Sequence, residues 1–355
     1  PVDKECGLQF APSAIRRPAY FDGLLKVLQI LNVDYDMIDL SKTSVDTLSK
    51  YKQVWAFATD EMNSREQQTL VDYIKAGGNL VIFPYLPDRE MSQSPCAIIR
   101  DAVSVAPSGT EIIDSPLIDV LGFKDIKCAN PLIIYSEDPL SGAEIIARSI
   151  NGSACGFSKA LGSGSLIHLG TWIGFDTEGH KPVYEAILNK SGARLRLVSA
   201  TNDKLVIRER FTPDHSAILF IGNYYNEEQT GKITYTHPQT GENISVPYVQ
   251  DSILWPALYG ILTPVCMDVI DGIKILHSTS DILGLNISDN KLEITLFGDR
   301  DLSGEMVFEG SDVSKITSAT IPGQDVQLVR KDERIALLYS HIHMNEMVLN
   351  IKITK

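Results

Sequence analysis

Residues 51–84, YKQVWAFATDEMNSREQQTLVDYIKAGGNLVIFP, constrain the fold more than any other stretch of the chain. Val54 to Ala58 is a short apolar run of the kind that forms a strand buried on both faces. Asn63 or Ser64 is expected to cap the following helix through a side-chain oxygen, with Glu66 and Gln67 in its first turn. Leu70, Val71, Tyr73 and Ile74 give that helix one apolar face. Gly77 and Gly78 stop it, because the residue after a helix usually turns left-handed, which glycine does without strain. Leu80 to Phe83 is the next strand, and Pro84 closes it. Strand, helix, Gly-Gly, strand is a βαβ unit, whose strands must run parallel.

The flanks extend this unit. Leu8 to Ala11 reads as a first strand, Phe21 to Leu31 as an amphipathic helix closed by Asn32, and Tyr35 to Leu40 as a second strand. A weak helix over Val45 to Lys50 completes a βαβαβαβ order, which predicts a doubly wound, mostly parallel α/β sheet. Beyond Pro84 the pattern predicts a long loop, a short helix over Cys96 to Val103 and another over Asp114 to Gly122. Strands at 132–135, 145–149, 155–160 and 165–170 follow, then an amphipathic helix over Lys181 to Lys190 stopped by Gly192. Past Ala193, short alternating strands recur about every ten residues from 204 to 353, with Gly, Asn and Asp turns such as His237 to Gly241. That spacing predicts an all-β sandwich-type region or two smaller β-modules, with domains at 1–198 and 199–355.

Composition narrows the function. The net charge of −13 opposes nucleic-acid and anionic-membrane partners, which reward basic surfaces, and leaves a neutral carbohydrate open. No apolar run reaches the roughly 18 residues of a membrane span. Five scattered cysteines without a CxxC pair predict free thiols in a reducing, cytoplasmic setting. The first turn, Pro12-Ser13-Ala14-Ile15, lacks glycine, and GxGxxG is absent, so no nucleotide cofactor is expected. Pro84 and Tyr85 stand where a strand-to-helix nucleophile elbow would need Ser or Cys. His341-x-His343 with Glu346 is too thin a pattern to assign a metal. No catalytic, cofactor or metal residue is therefore assigned. The candidate site is a rim at the C-terminal strand ends, where open α/β sheets place their ligands: Asp60, Glu61, Tyr85, Leu86, Trp172 and Phe175. It would serve as a subunit interface or a sugar contact. Trp55 and Trp255 are expected in the core.

Several stretches of the chain resemble a known family. Tyr51 to Trp55, Asn63 to Leu70 and Tyr73 to Val81 resemble the middle domain of β-galactosidases of glycoside hydrolase families 42 and 35, including the archaeal exo-β-glucosaminidase type. Leu161 to Trp172 resembles that domain's late hairpin and strand, and residues 200–355 resemble the C-terminal β-domains in type and position. The resemblance implies a glutamine amidotransferase-like domain without its nucleophile, which mediates oligomerisation beside a catalytic (β/α)₈ barrel. The chain departs from the family in having no room for that barrel, so no glutamate inherits a catalytic role. The expectation is a non-catalytic portion of such an enzyme, as a fragment or separately encoded, partnered by further copies of itself and by a barrel in the same polypeptide or gene product. The alternative is a free-standing carbohydrate-binding protein or enzyme that uses the cleft between its two domains.

Overall fold

A computed structural model describes residues 17–31, 33, 35–136, 142–190, 192, 199–202, 204–212, 216–237, 239–288, 290–298, 302–342 and 345–354. The expected strand at 8–11, the helix stop at Asn32, most of the expected domain boundary and His343 lie outside these residues. The chain divides into two compact units, Pro1–Leu195 and Arg196–Lys355.

Among its described residues the first unit contains nine strands: β1 Gln53–Ala58, β2 Asn79–Pro84, β3 Gly109–Glu111, β4 Leu117–Val120, β5 Phe123–Lys127, β6 Leu132–Ile134, β7 Ala143–Ser149, β8 Ala154–Leu161 and β9 Gly164–Leu169. Seven of them form one sheet in the order β1-β2-β9-β8-β7-β4-β5. β1, β2 and β9 are parallel neighbours, as the βαβ reading requires. The pairs β9–β8, β8–β7, β7–β4 and β4–β5 are antiparallel. The α/β class holds, but the described sheet is mixed rather than mostly parallel. The tight turn between β8 and β9 shows why: a connection of two residues can only reverse the chain.

Both faces of this sheet are covered. Leu24, Val27 and Leu28 of the helix Arg17–Ile30 and Val183, Tyr184 and Ile187 of the helix Thr177–Lys190 pack with Val81, Phe83, Ile167 and Leu169. Leu70, Val71, Tyr73 and Ile74 of the helix Ser64–Lys75 and Ile99 of the helix Ile98–Val103 pack with Leu80, Ile82 and Leu166 on the other face. The alternation along β2 therefore feeds two cores. At the end of Ser64–Lys75, Gly77 has φ +110°, Gly77 N–H donates to Ile74 O and Gly78 N–H to Tyr73 O, the paired bonds of a glycine C-cap.

Three local expectations are corrected. Residues 35–39 join no ladder, and a short 3₁₀ turn, Leu40–Lys42, follows them. The expected helix at 114–122 is instead the hairpin strand β4: Ile118 and Val120 alternate inward, and Leu121 and Gly122 supply the positive φ of its turn. Asn63 occupies the N-cap position of Ser64–Lys75, but its side chain makes no capping bond.

The second unit is all β, with one 3₁₀ turn, Val313–Lys315, among its described residues. Its first part holds the three-stranded sheet Leu205–Phe211, Ala217–Asn223 and Tyr259–Val265, with smaller ladders beside it. Its second part holds a five-stranded sheet, in which Ile273–Ser278, Ser303–Glu309 and Arg334–Ser340 are central, and a four-stranded sheet. The five-stranded sheet is buried on both faces. Leu276, Val307 and Ala336 join the core of the first part, while Ile275, Met306, Phe308 and Leu337 join that of the second. In this unit the sequence reading missed Ser199–Ala200, Ile253–Trp255, Asp281–Ser288 and Ile316–Thr320, and it met Gln229–Gly231 and Tyr259–Val265 only at their last residues.

Candidate functional site

The strand ends of β1 and β2 are built into one interlocked rim. After β1, Thr59 Oγ1 accepts from Glu61 N–H (3.2 Å), and Asp60 O accepts the amides of Asp88 (2.9 Å) and Arg89 (3.2 Å). Met62 N–H returns the bond to Arg89 O at 2.9 Å. The Arg89 guanidinium lies 3.0 Å from Asp88 and 3.4 Å from Asp60, and Arg100 holds Asp88 from the other side at 2.9 Å. Gln93 Nε2 donates to Glu61 at 2.6 Å. Asp60 and Glu61 are thus engaged with the 84–95 stretch rather than poised as an acid and base pair.

The same stretch caps the neighbouring helix. Glu90 Oε1 accepts the Ser64 amide at 3.2 Å, placing a carboxylate at a helix N-terminus, where the backbone dipole favours it. Hydrogen bonds from the Ser64 side chain and amide hold the Glu90 carboxyl below its ordinary pKa. Gln67, one turn into that helix, is fully buried. Its Nε2 donates to Met62 O (2.8 Å) and Cys96 O (2.9 Å), and its Oε1 accepts Ile99 N–H (3.3 Å). The sequence reading placed Gln67 only in the first helical turn. The available signal was its position: an amide three residues before Leu70 and seven before Ile74, on the apolar stripe.

The other rim residues divide. Leu86 is 0% exposed and Trp172 5%, so both belong to the chain's own core. Trp172 stacks on Phe57 (centroids 5.6 Å, planes 12° apart) and meets the edge of Phe83 at 5.3 Å. Tyr85 is half-buried against the core beneath Ser64–Lys75. Phe175 remains 37% exposed and packs edge-on against His180. His180 is a structural group: Nδ1 accepts the amides of Gly174 (2.7 Å) and Asp176 (3.2 Å), and Nε2 donates to Lys127 O (2.7 Å). Burial pulls its pKa down, which keeps the ring neutral. Trp255 is buried as expected, and Trp55 is partly buried against the first core.

In the second unit, His237, Cys266 and Glu309 bring ligand-type atoms within 4.8 Å of one another. The hydrogen bonds oppose a metal there. His237 Nδ1 accepts the amides of Gln239 (3.1 Å) and Thr240 (3.2 Å), so the proton sits on Nε2 and is donated to Glu309 at 2.7 Å. Cys266 approaches that same nitrogen at 3.3 Å, and burial pushes its thiol up to about 12. Glu309 also accepts from Arg334 at 3.2 Å. The nitrogen a metal would need carries the proton given to Glu309, because the backbone amides hold Nδ1 as an acceptor. His341, half of the sequence's histidine pair, is hydrogen-bonded to Ser280 Oγ at 2.6 Å.

The fold defines a two-unit chain: an α/β unit whose strand ends are sealed by their own side chains, and a β-rich unit whose polar clusters are internal. Residues 5–139 match the family model described as GLMA-like, second domain. The chain is 28% identical over 232 residues to a β-1,2-glucosyltransferase from Ignavibacterium album, covering 64% of this chain and 31% of that protein. It is 26% identical over 266 residues to an exo-β-D-glucosaminidase from Pyrococcus horikoshii, covering 74% and 32%. It therefore spans about a third of the length of these curated relatives. A catalytic mutant of Gan42B, a GH42 β-galactosidase from G. stearothermophilus, shares the fold over 71% of this chain and 36% of its own, with 15% identity and a TM-score of 0.55. The sequence matches bear out the resemblance to the exo-β-glucosaminidase type, and the GH42 β-galactosidase structure bears out the fold. No helix among the described residues is long and apolar enough to cross a membrane.

Proposed function

We propose that this chain is a non-catalytic, accessory portion of a glycoside hydrolase acting on β-linked sugars, and that the rim of its α/β unit is a self-association surface. The observation that carries the reading is the sealed strand end. β2 runs into Pro84 and Tyr85, and the acidic residues beyond β1 are tied into ion pairs and hydrogen bonds with the 84–95 stretch. A rim held this firmly is suited to present a fixed surface to another subunit. Its exposed groups, Gln93 and Phe175, and the half-buried Asp60 and Arg89 are polar and aromatic, as interface margins are. The relatives' names supply the sugar chemistry.

Two measurements test the proposal. Purified chain assayed with aryl β-galactosides, β-glucosides and β-glucosaminides is expected to show no turnover; turnover lost on one Asp or Glu substitution would overturn the non-catalytic reading. Light scattering at micromolar concentration is expected to show association, because a stable interface buries more than about 1,000 Å². A strict monomer would remove the interface.

A further inference from the structure

We propose that Gln67 is the positioning residue of the rim: one buried amide ties the segment that follows β1 to the end of the 84–95 stretch that shapes it. The proposal deepens the interface reading above and rests on it for its consequence in association, but not for the latch itself.

The geometry is unusual for a helical side chain. Gln67 carries no solvent exposure, and its side chain bonds outside its own helix. Its donors reach Met62 O, where the chain leaves β1, and Cys96 O, where the 84–95 stretch ends. Its acceptor takes the Ile99 amide in the first turn of Ile98–Val103. Between those anchor points the stretch is cross-tied by Asp88 and Arg89 amides to Asp60 O, by Met62 N–H to Arg89 O and by Cys96 N–H to Asp88 O. Arg100 adds a bond to Leu86 O at 2.8 Å. Removing the Gln67 amide leaves two carbonyls and one amide without their partner in a buried place, so the stretch must open to satisfy them from water. A hydrophobic residue of similar size would fill the space but not relieve that demand. Glu90, tied to Ser64 at the helix start, then remains as the chief link between stretch and helix.

Amide hydrogen exchange on the whole chain tests this. In the native chain the amides of Met62, Asp88, Cys96 and Ile99 are expected to exchange as one unit, at a rate close to that of the helix Ser64–Lys75. Gln67→Glu keeps the acceptor but loses both donated bonds, and it is expected to speed exchange across 86–96 by roughly 10- to 100-fold. Val71→Ala, a buried truncation on the same helix, is expected to lower overall stability without singling out that segment. Equal profiles for the two variants, or no segmental change in Gln67→Glu, would overturn the proposal. If Gln67→Glu does not fold, the native profile decides: fast exchange of Met62, Asp88 and Cys96 beside a protected helix sinks the latch. Opened exchange with unaltered self-association would instead count against the rim as the interface and leave the latch standing.

Discussion

His277 Nε2 lies 3.1 Å from Glu305 Oε1, and neither residue is exposed to solvent. Burial pushes the Glu305 pKa up, but the His277 hydrogen bond and charge, with the amides of Tyr248 and Val249, outweigh it, and the net direction is down. Glu305, Val307 and Glu309 share one face of their strand, toward the core that contains Val307. The two carboxylates thus fasten residues 237–249 to the five-stranded sheet: Glu305 through the Tyr248 and Val249 amides, Glu309 through His237.

A carboxyl whose folded pKa is depressed gives stability that is present above its unfolded pKa and lost as pH falls through the folded one. Glu305→Ala is therefore expected to cost about 3–5 kcal/mol at neutral pH, because it strands a buried imidazole and two amides. The gap between wild type and variant should narrow as the pH is lowered from about 5, since the unfolded carboxyl titrates near 4.3. Denaturant titrations of both proteins at pH 7, 5 and 3.5 check it. A gap that widens with acid contradicts the assignment.

Burial also governs the thiols. It pushes Cys128 up to about 11 and both Cys155 and Cys266 up to about 12, so all three are protonated at ordinary pH and screened by the core. Alkylation of the native chain at pH 8, read by peptide mass, should leave these three unlabelled while denatured protein labels fully. Zinc should leave the melting temperature of the native chain unchanged, because the His237 Nε2 proton and the Glu309–Arg334 pair occupy the groups it would need. A zinc-dependent rise lost in Cys266→Ser would show the opposite.

The elements legible in the sequence were those whose signal is local. The helix Ser64–Lys75 and its Gly77 stop could be read because apolar spacing and a left-handed glycine act within a few residues. β4 could not. Ile118 and Val120 span too few residues to separate a period of two from one of 3.6, and the neighbouring strand β7 lies some thirty residues on. The candidate rim was legible in position but not in role. Asp60 and Glu61 do lie at a strand end, while their partners Arg89 and Gln93 come from a loop without periodicity. Whether an aromatic at such an end faces out or in depends on what packs over it. For Trp172 that is Phe57 and Phe83, set by strand pairing rather than by sequence neighbours.

Gly164 opens β9 where two backbone segments close on it. A Cβ there would lie 2.1 Å from Gly78 O, which accepts the Ser165 amide, and 2.3 Å from Ile74 O, which accepts the Gly77 amide of the glycine cap. Gly164→Ala is expected to destabilise the chain by about 1–3 kcal/mol, at the upper end because neither carbonyl can rotate aside. Gly109→Ala is the comparison, since a Cβ there meets nothing within 4 Å. Equal melting temperatures for the two variants would show that the cap yields more easily than its bonds suggest.

The burial of Trp172 decides how self-association must be probed. Its indole stacks on Phe57 and abuts Phe83, and aromatic pairs of this kind contribute about 0.5–1.5 kcal/mol beyond the area they bury. Trp172→Ala should therefore cost about 3–5 kcal/mol through the cavity it leaves. That loss should appear equally at low and high protein concentration, because the side chain is only 5% exposed and has little to offer a partner. Phe175, at 37% exposed, and Gln93, bonded to Glu61, are the positions where a substitution can weaken association while sparing the core. Thermal unfolding at two concentrations a hundredfold apart separates the cases. Trp172→Ala should shift both curves together, whereas Phe175→Ala should lower only the concentrated one. A concentration-dependent effect of Trp172→Ala would mean that the indole turns outward when subunits meet.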